Sequence, residues 1–163
     1  YTTAMTVRKQ IRFAEQLVSE GFFEQAKDLL IDLLEKDSKN PEVYYVLGDV
    51  LSKLLRFDEA ILLLQKACQL YPEHPLIHQA LGWAFFMNGD LNTGRKWLLQ
   101  ALAGNPDDER VYTDLAALEQ KAQRLEKATR YVKQGLRIAP TDVFLLELSH
   151  LLHEMIRSKN QVN

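Results

Sequence analysis

Apolar and polar positions follow a helical period along almost the whole chain, and residues 41–74 show it most clearly. In the first half of this stretch, apolar and small residues recur at spacings of three and four: Tyr44, Leu47, Gly48 and Leu51. The second half carries a similar stripe, which ends before Pro72: Ala60, Ile61, Leu64, Ala67 and Cys68. The pattern therefore predicts two helices that meet in a turn near residues 56–58.

The same pattern returns at a shift of 34 residues. Leu47-Gly48 has counterparts at three other places: Phe13-Ala14, Leu81-Gly82 and Leu115-Ala116. The later small position and the proline also recur in register: Ala26, Ala60, Gly94 and Ala128, and Pro72, Pro106 and Pro140. Four copies without insertion follow, over residues 7–40, 41–74, 75–108 and 109–142.

These residues and their period resemble the tetratricopeptide repeat (TPR), a helix–turn–helix unit of that length. The resemblance implies an all-α, right-handed superhelical solenoid of four repeats in a single domain over residues 1–163. A capping helix is expected over 143–157, and Tyr1–Thr6 is expected to be an unstructured lead. Small residues such as Gly48 and Ala60 are needed where two helix backbones approach closely. Each pair buries too little apolar surface to fold alone, so the pairs must stack.

Composition and charge exclude several classes of function. A net charge of −2 and a pI of about 6.1 give no general attraction to nucleic acid or to an anionic membrane. The longest run without Asp, Glu, Lys or Arg, which contains residues 75–89, is too short to span a bilayer. The single cysteine, Cys68, excludes an internal disulfide and lies on an apolar stripe, which predicts a buried structural thiol. We expect a cytoplasmic protein.

The sequence offers no recognisable catalytic, metal or cofactor site. It has no Gly-rich phosphate loop, no Cys-x-x-Cys and no Gly-x-Ser-x-Gly. Glu147 and His150 have the Glu-x-x-His spacing of di-metal bundles, but the apolar second helices do not supply the other carboxylates. We therefore expect a protein that is not an enzyme and carries no cofactor.

A binding surface is predicted on the first helix of the third repeat. In the TPR superhelix the first helix of each repeat lines a concave groove, and here that helix has no charged residue. A helix that is apolar nearly all round should be covered on most sides. The sequence predicts an apolar pocket of Trp83, Phe86 and Met87, with Tyr45 and Leu76, for an extended or helical segment of a partner protein. The complete set of predicted groove residues is Tyr45, Asp49, Leu76, Gln79, Trp83, Phe86, Met87 and Arg110.

Other interpretations of this surface remain open. Phe86 and Met87 could belong to the core, leaving only Trp83 in the groove, or a second copy of the chain could cover the patch. The function alternatives are a self-associating assembly module and a TPR chaperone of the secretion type. Binding of acidic chaperone tails is disfavoured, because positions that would hold Lys or Asn in a carboxylate clamp carry residues such as Glu15 or Asp49.

Overall fold

The computed structural model describes residues 2–37 and 39–163, and side chains from residue 6 onward within those ranges. In this part of the chain every element is a helix: α1 (Thr2–Ser19), α2 (Phe23–Lys36), α3 (Pro41–Lys53), α4 (Phe57–Leu70), α5 (Pro75–Met87), α6 (Leu91–Gly104), α7 (Glu109–Lys121), α8 (Leu125–Ile138) and α9 (Val143–Val162). The predicted all-α solenoid of four helix pairs followed by a capping helix is confirmed.

The turn inside each helix pair has one backbone design, repeated in register. Two residues after the end of its first helix, the backbone has a positive φ at equivalent positions in the four pairs: Gly21, Leu55, Gly89 and Gln123. The next amide then donates back to the carbonyl five residues earlier, as Arg56 N does to Leu51 O at 2.9 Å. Leu55 and Gln123 adopt the left-handed conformation without being glycine, which costs each of them about 1 kcal/mol.

Polar residues begin several helices where the sequence places them. Asn40 Oδ1 accepts from the amide of Glu42 at 3.0 Å, and Pro41 is the first residue of α3. Asp108 and Asp142 cap α7 and α9 in the same way. His74 precedes α5 as Asn40 precedes α3, but its side chain makes no capping hydrogen bond, so the two helix starts share only the proline.

Two predicted boundaries are wrong at the ends of the chain. The lead was expected to be unstructured, but α1 already begins at Thr2. Tyr1 lies outside the described residues. The capping helix continues to Val162, beyond the predicted end at residue 157.

The helices form two layers, and the odd-numbered ones make the inner layer. Each helix packs against the next along the chain, while α1, α3, α5 and α7 also contact one another in series. The described even-numbered helices make no comparable contacts among themselves. Helices on the inside of a curved stack approach one another and those on the outside fan apart, so α3, α5 and α7 line the concave surface.

Glycine makes the closest helix approach possible beneath this surface. A Cβ on Gly82 of α5 would lie 2.9 Å from the backbone nitrogen of Leu98 and 3.0 Å from the carbonyl oxygen of Gly94, both on α6. Because the obstacles are backbone atoms, they could move aside only if the helices separated. The small residues of the repeat therefore fix the position of α5.

Helix α9 closes the end of the stack against α8. Its buried residues follow one stripe: Leu145, Leu148 and Leu152. Gly135 of α8 leaves room for Leu145, which a Cβ at that position would approach to 2.9 Å. The opposite face of α9 exposes Val143 and Leu146.

Candidate functional site

The concave surface contains a small cavity where α3, α5 and α7 meet. This central cavity has a volume of about 160 Å³ and is lined by Asp49, Lys53, Gln79, Trp83 and Asp114. Asp49 and Lys53 lie one helical turn apart on α3, and Gln79 and Trp83 are related in the same way on α5. Three helices thus bring two carboxylates, an amide, an ammonium group and an indole together.

A second cavity lies beside it, toward the capping helix. This side cavity has a volume of about 260 Å³ and shares Gln79 and Asp114 with the central cavity. Its other lining residues come from α7 and α9: Glu109, Arg110, Thr113, Asp142 and Phe144. The polar surface therefore continues from α3 to the start of α9.

The two aspartates of the central cavity are half-buried and differ in their partners. Gln79 Nε2 donates to Asp114 Oδ2 at 2.8 Å. Asp49 makes no hydrogen bond or ion pair with any residue that the structure describes. Neither carboxylate therefore has a close cationic partner.

Burial is the main reason why both aspartates hold protons tightly. Burial raises the pKa of Asp49 to about 6, although the charges of Arg110 and Lys53 oppose the shift. Burial also raises the pKa of Asp114 to about 7, against the hydrogen bond from Gln79. The negative charges of Asp49 and Asp108 raise the pKa of Asp114 further, and Arg110 lowers it.

The cationic side chains nearest to Asp49 and Asp114 do not form ion pairs with them. Arg110 Nε and one terminal nitrogen donate to the two carboxylate oxygens of Asp108 at 3.1 and 3.0 Å. Asp108 itself is buried and also caps α7. Lys53 is exposed at the rim of the central cavity and forms no ion pair within 4.0 Å in the described part of the chain.

Of the predicted apolar pocket, only Trp83 lines the central cavity. Its half-buried indole packs edge-on against Phe86, with ring centroids 5.4 Å apart. Phe86 packs against a core cluster that includes Leu98 of α6 and Leu115 of α7, because Gly94 lets α6 approach it closely. The other residues that line the central cavity with Trp83 are therefore polar, whereas the sequence predicted an apolar pocket.

The remaining predicted groove residues fall into two groups. Asp49, Gln79 and Arg110 line one or both cavities. Tyr45 packs against the core, tilts over the His74 ring at 5.6 Å, and has its pKa raised by burial to about 12. Leu76 is half-buried and Met87 is exposed, and neither lines the central cavity or the side cavity.

Phe144 is a groove residue that the sequence analysis missed. It belongs to α9 and lines the side cavity, although 54% of it remains exposed. The sequence contained a signal for this second apolar face. Phe144 and Leu151 are seven residues, or two helical turns, apart, and they lie outside the core stripe of α9: Leu145, Leu148 and Leu152.

A third acidic side chain, Glu119 of α7, lies in the interior with cations around it. Arg95 Nε on α6 donates to Glu119 Oε1 at 2.6 Å. Arg124, just before α8, and Lys127 of α8 approach the other oxygen, Oε2, each at 3.9 Å. Glu119 is completely buried and is not solvated by water, so these three cations compensate its negative charge.

His74, His78 and Cys68 have structural surroundings. His78 is buried and its Nε2 donates to the Pro72 carbonyl oxygen at 2.8 Å. Burial lowers the pKa of His74 and raises that of the half-buried Cys68 thiol. Within the described ranges, no group of three or more His, Cys, Asp or Glu could hold a metal ion. No helix described there is long and apolar enough to cross a membrane.

Comparison with known families gives two overlapping matches. Both are to models described as tetratricopeptide repeat, one over residues 11–75 and the other over residues 56–113. A TPR repeat-containing protein of Methanocaldococcus jannaschii is 23% identical over 126 residues, which are 77% of this chain and 22% of that protein. The chain thus spans about a fifth of the length of that relative.

Solved structures with the same architecture come from several proteins. PilF of Pseudomonas aeruginosa superposes with a TM-score of 0.82 at 18% identity, over 97% of this chain and 72% of that one. MamA gives a TM-score of 0.69 at 21% identity, over 93% and 82%. YrrB, described as a TPR protein with an unusual peptide-binding site, gives 0.67 at 21% identity, over 82% and 69%. At these identities the likeness shows the shared fold.

Proposed function

Because this chain belongs to the tetratricopeptide repeat family, we propose that it is a non-catalytic scaffold that binds a segment of a partner protein. The segment, extended or helical, lies along the concave surface of α3, α5 and α7 and reaches the start of α9. This proposal goes beyond the fold, since one repeat architecture serves many functions.

The observation that carries the proposal is the position of Trp83. Its indole is half-buried and lines an open cavity, while its other side is supported by Phe86 in the core. A rigid aromatic ring held in this way is the usual anchor of a protein interface. The polar side chains around the ring supply hydrogen-bonding groups that fix the register of a bound chain.

Selection from a library of randomised short peptides displayed on phage tests this proposal. We expect the full chain to select peptides whose affinity falls about thirtyfold in Trp83→Ala, the loss typical of a central anchor. The matched control is Leu62→Ala, on the convex side of α4, where 69% of the side chain is exposed. This control should bind like the wild type.

Melting temperatures measured on the same variants separate binding from packing. Because the indole is only half-buried, its removal leaves most of the packing around it intact. The Trp83→Ala variant should therefore melt close to the wild type. Selected peptides that bind Trp83→Ala as tightly as the wild type would contradict the proposal. A steep fall in melting temperature would assign Trp83 to the core instead.

Self-association is the second candidate, and α9 favours it. Val143 and Leu146 lie on the face turned away from α8, with 67% and 48% of their surface exposed. An apolar strip at the open end of a solenoid could stack on a second copy. Light scattering at micromolar concentration decides, because a dimer that Leu146→Glu converts to a monomer would favour the assembly module.

A further inference from the structure

The central cavity has the dimensions of a site for one side chain. Its volume of about 160 Å³ is too small for a folded segment. Its walls come from three helices, so an occupant would contact α3, α5 and α7 together. It opens on the concave surface, where the partner segment proposed above would pass.

The charges of this cavity are out of balance. Two carboxylates, Asp49 and Asp114, face one lysine at the rim. The hydrogen-bond partner of Asp114 is the neutral amide of Gln79, and Asp49 has no hydrogen-bond or ion-pair partner among the described residues. The two oxygens of Asp108 hold the Arg110 guanidinium. A second cation entering the cavity would therefore meet two acceptors and little competition.

The third component of the cavity is an aromatic surface. A cation over the face of an indole is attracted by the negative electrostatic potential of that face. A guanidinium is flat enough to stack on such a ring, and its fork of donors can reach two carboxylates at once. An ammonium group is a compact and strongly hydrated charge, which stacks less well.

We propose that the central cavity binds an arginine side chain of the partner segment, placed between the carboxylates of Asp49 and Asp114 and against the indole of Trp83. This inference rests on the proposed function and adds to it the residue that the partner presents. Lys53 remains at the rim, where its exposed side chain moves into solvent when the site is filled.

The displayed peptides selected above provide the test. We expect them to share an arginine at one fixed position. Synthetic copies that carry citrulline there keep the shape and lose the charge, and their affinity should fall at least about tenfold. Lysine at the same position should bind less tightly than arginine, and equal binding would overturn the choice of arginine.

A double-mutant cycle locates that arginine in the cavity. Asp49→Asn combined with Asp114→Asn should lower the affinity for the arginine peptide at least about tenfold and leave that for the citrulline peptide nearly unchanged. Asp107→Asn, on an exposed loop, makes the same kind of charge change outside the groove and should have little effect. Circular dichroism should show that all the variants are folded.

The outcomes separate this inference from the function on which it rests. Peptides that need Trp83 but share no basic residue would overturn the inference and leave the scaffold function in place. Unchanged binding of the arginine peptide to the Asp49→Asn, Asp114→Asn variant would do the same. If no selected peptide depends on Trp83, both proposals are wrong.

Discussion

Two parts of this molecule bury acidic side chains, but only one of them pairs the buried carboxylate with cations. Glu119 is completely buried and is compensated by Arg95 at 2.6 Å, with Arg124 and Lys127 at 3.9 Å. Asp49 and Asp114 are half-buried on the concave surface and have no cation within ion-pair distance in the part of the chain that is described. The chain itself supplies cations for the first carboxylate, whereas the other two lack a counter-charge.

The repeat register shows that the Glu119 cluster replaces apolar contacts. Glu119 stands at the position of Leu51 in the second repeat, and Arg95 at that of Ile61. Both of those counterparts are buried in the first core cluster. The ion pair therefore joins α6 to α7 at positions where the second repeat carries apolar residues, and its role is structural.

The groove aspartates have no comparable structural role. A buried charge is unfavourable unless it is paired with an opposite charge. Neither Asp49 nor Asp114 is paired with a cation among the described residues, and burial raises both pKa values, which favours the neutral form. Such a site gains stability when a cationic ligand enters. The contrast between the two regions supports the assignment of the groove to binding and of Glu119 to folding.

The largest effect is expected for Glu119→Gln, which removes the charge and keeps the shape. Arg95, which has 13% of its side chain exposed, would be left without its partner. We expect the free energy of unfolding to fall by about 3 kcal/mol, as measured by urea denaturation. The exposed Glu126→Gln on α8 is the control and should change it by less than about 0.5 kcal/mol.

A second variant tests whether the lost stability comes from leaving Arg95 unpaired. Arg95→Ile combined with Glu119→Leu restores the residues that the second repeat carries at these positions. It should recover most of the stability lost in the single variant, because an apolar pair can replace a buried ion pair. Wild-type stability in Glu119→Gln alone would show that the cluster contributes nothing.

The groove aspartates should have a smaller effect of opposite sign, which depends on pH. Their raised pKa values mean that the folded chain binds protons more tightly than the unfolded chain. The stabilisation is fully present below the ordinary pKa of Asp and is lost as the pH rises through about 6 and about 7. Wild type should thus lose on the order of 1 kcal/mol per carboxylate between pH 5 and pH 8.

The Asp49→Asn, Asp114→Asn variant removes both titrating groups. Its free energy of unfolding should be equal to or above that of the wild type at pH 8, and the advantage should shrink at pH 5. Urea denaturation at both values measures the difference, with Asp107→Asn as the control. A variant that is less stable than the wild type at pH 8 would place these carboxylates with Glu119 as structural groups.

The smallest effect is expected for Asp108→Asn, which leaves a side-chain acceptor to cap α7 but releases Arg110. The pKa of Asp114 should fall, because a negative charge that raises it is lost and the freed guanidinium can approach. NMR titration of the side-chain carboxyl carbon measures this shift. Affinity for the arginine peptide should fall a few-fold as Arg110 competes for the carboxylates, and a rise would contradict this explanation.

Much of the fold could be predicted from the sequence because the period of 34 residues repeats without insertion. That register predicted the helix pairs and the small residues at Gly48 and Gly82. It also assigned Asp49, Gln79 and Trp83 to helix faces that the structure brings together in one cavity.

The register could not predict which side of a helix the large aromatics would favour. Phe86 turns toward α6 because Gly94 opens space there, and this depends on a contact between two helices. The polar character of the cavity arises in the same way, since Asp114 comes from a different repeat than Trp83. Glu119 could have been recognised as a charge at an apolar position, but its partner Arg95 becomes visible only when both are compared with the second repeat.

The most direct test of the account is to map a selected peptide on the labelled protein by NMR. We predict that the largest chemical-shift changes fall on α3, α5 and α7, and include the indole N–H of Trp83. Helices α4, α6 and α8 on the outer layer should change little. Changes concentrated on those outer helices, with the Trp83 indole unmoved, would contradict a binding site on the concave surface.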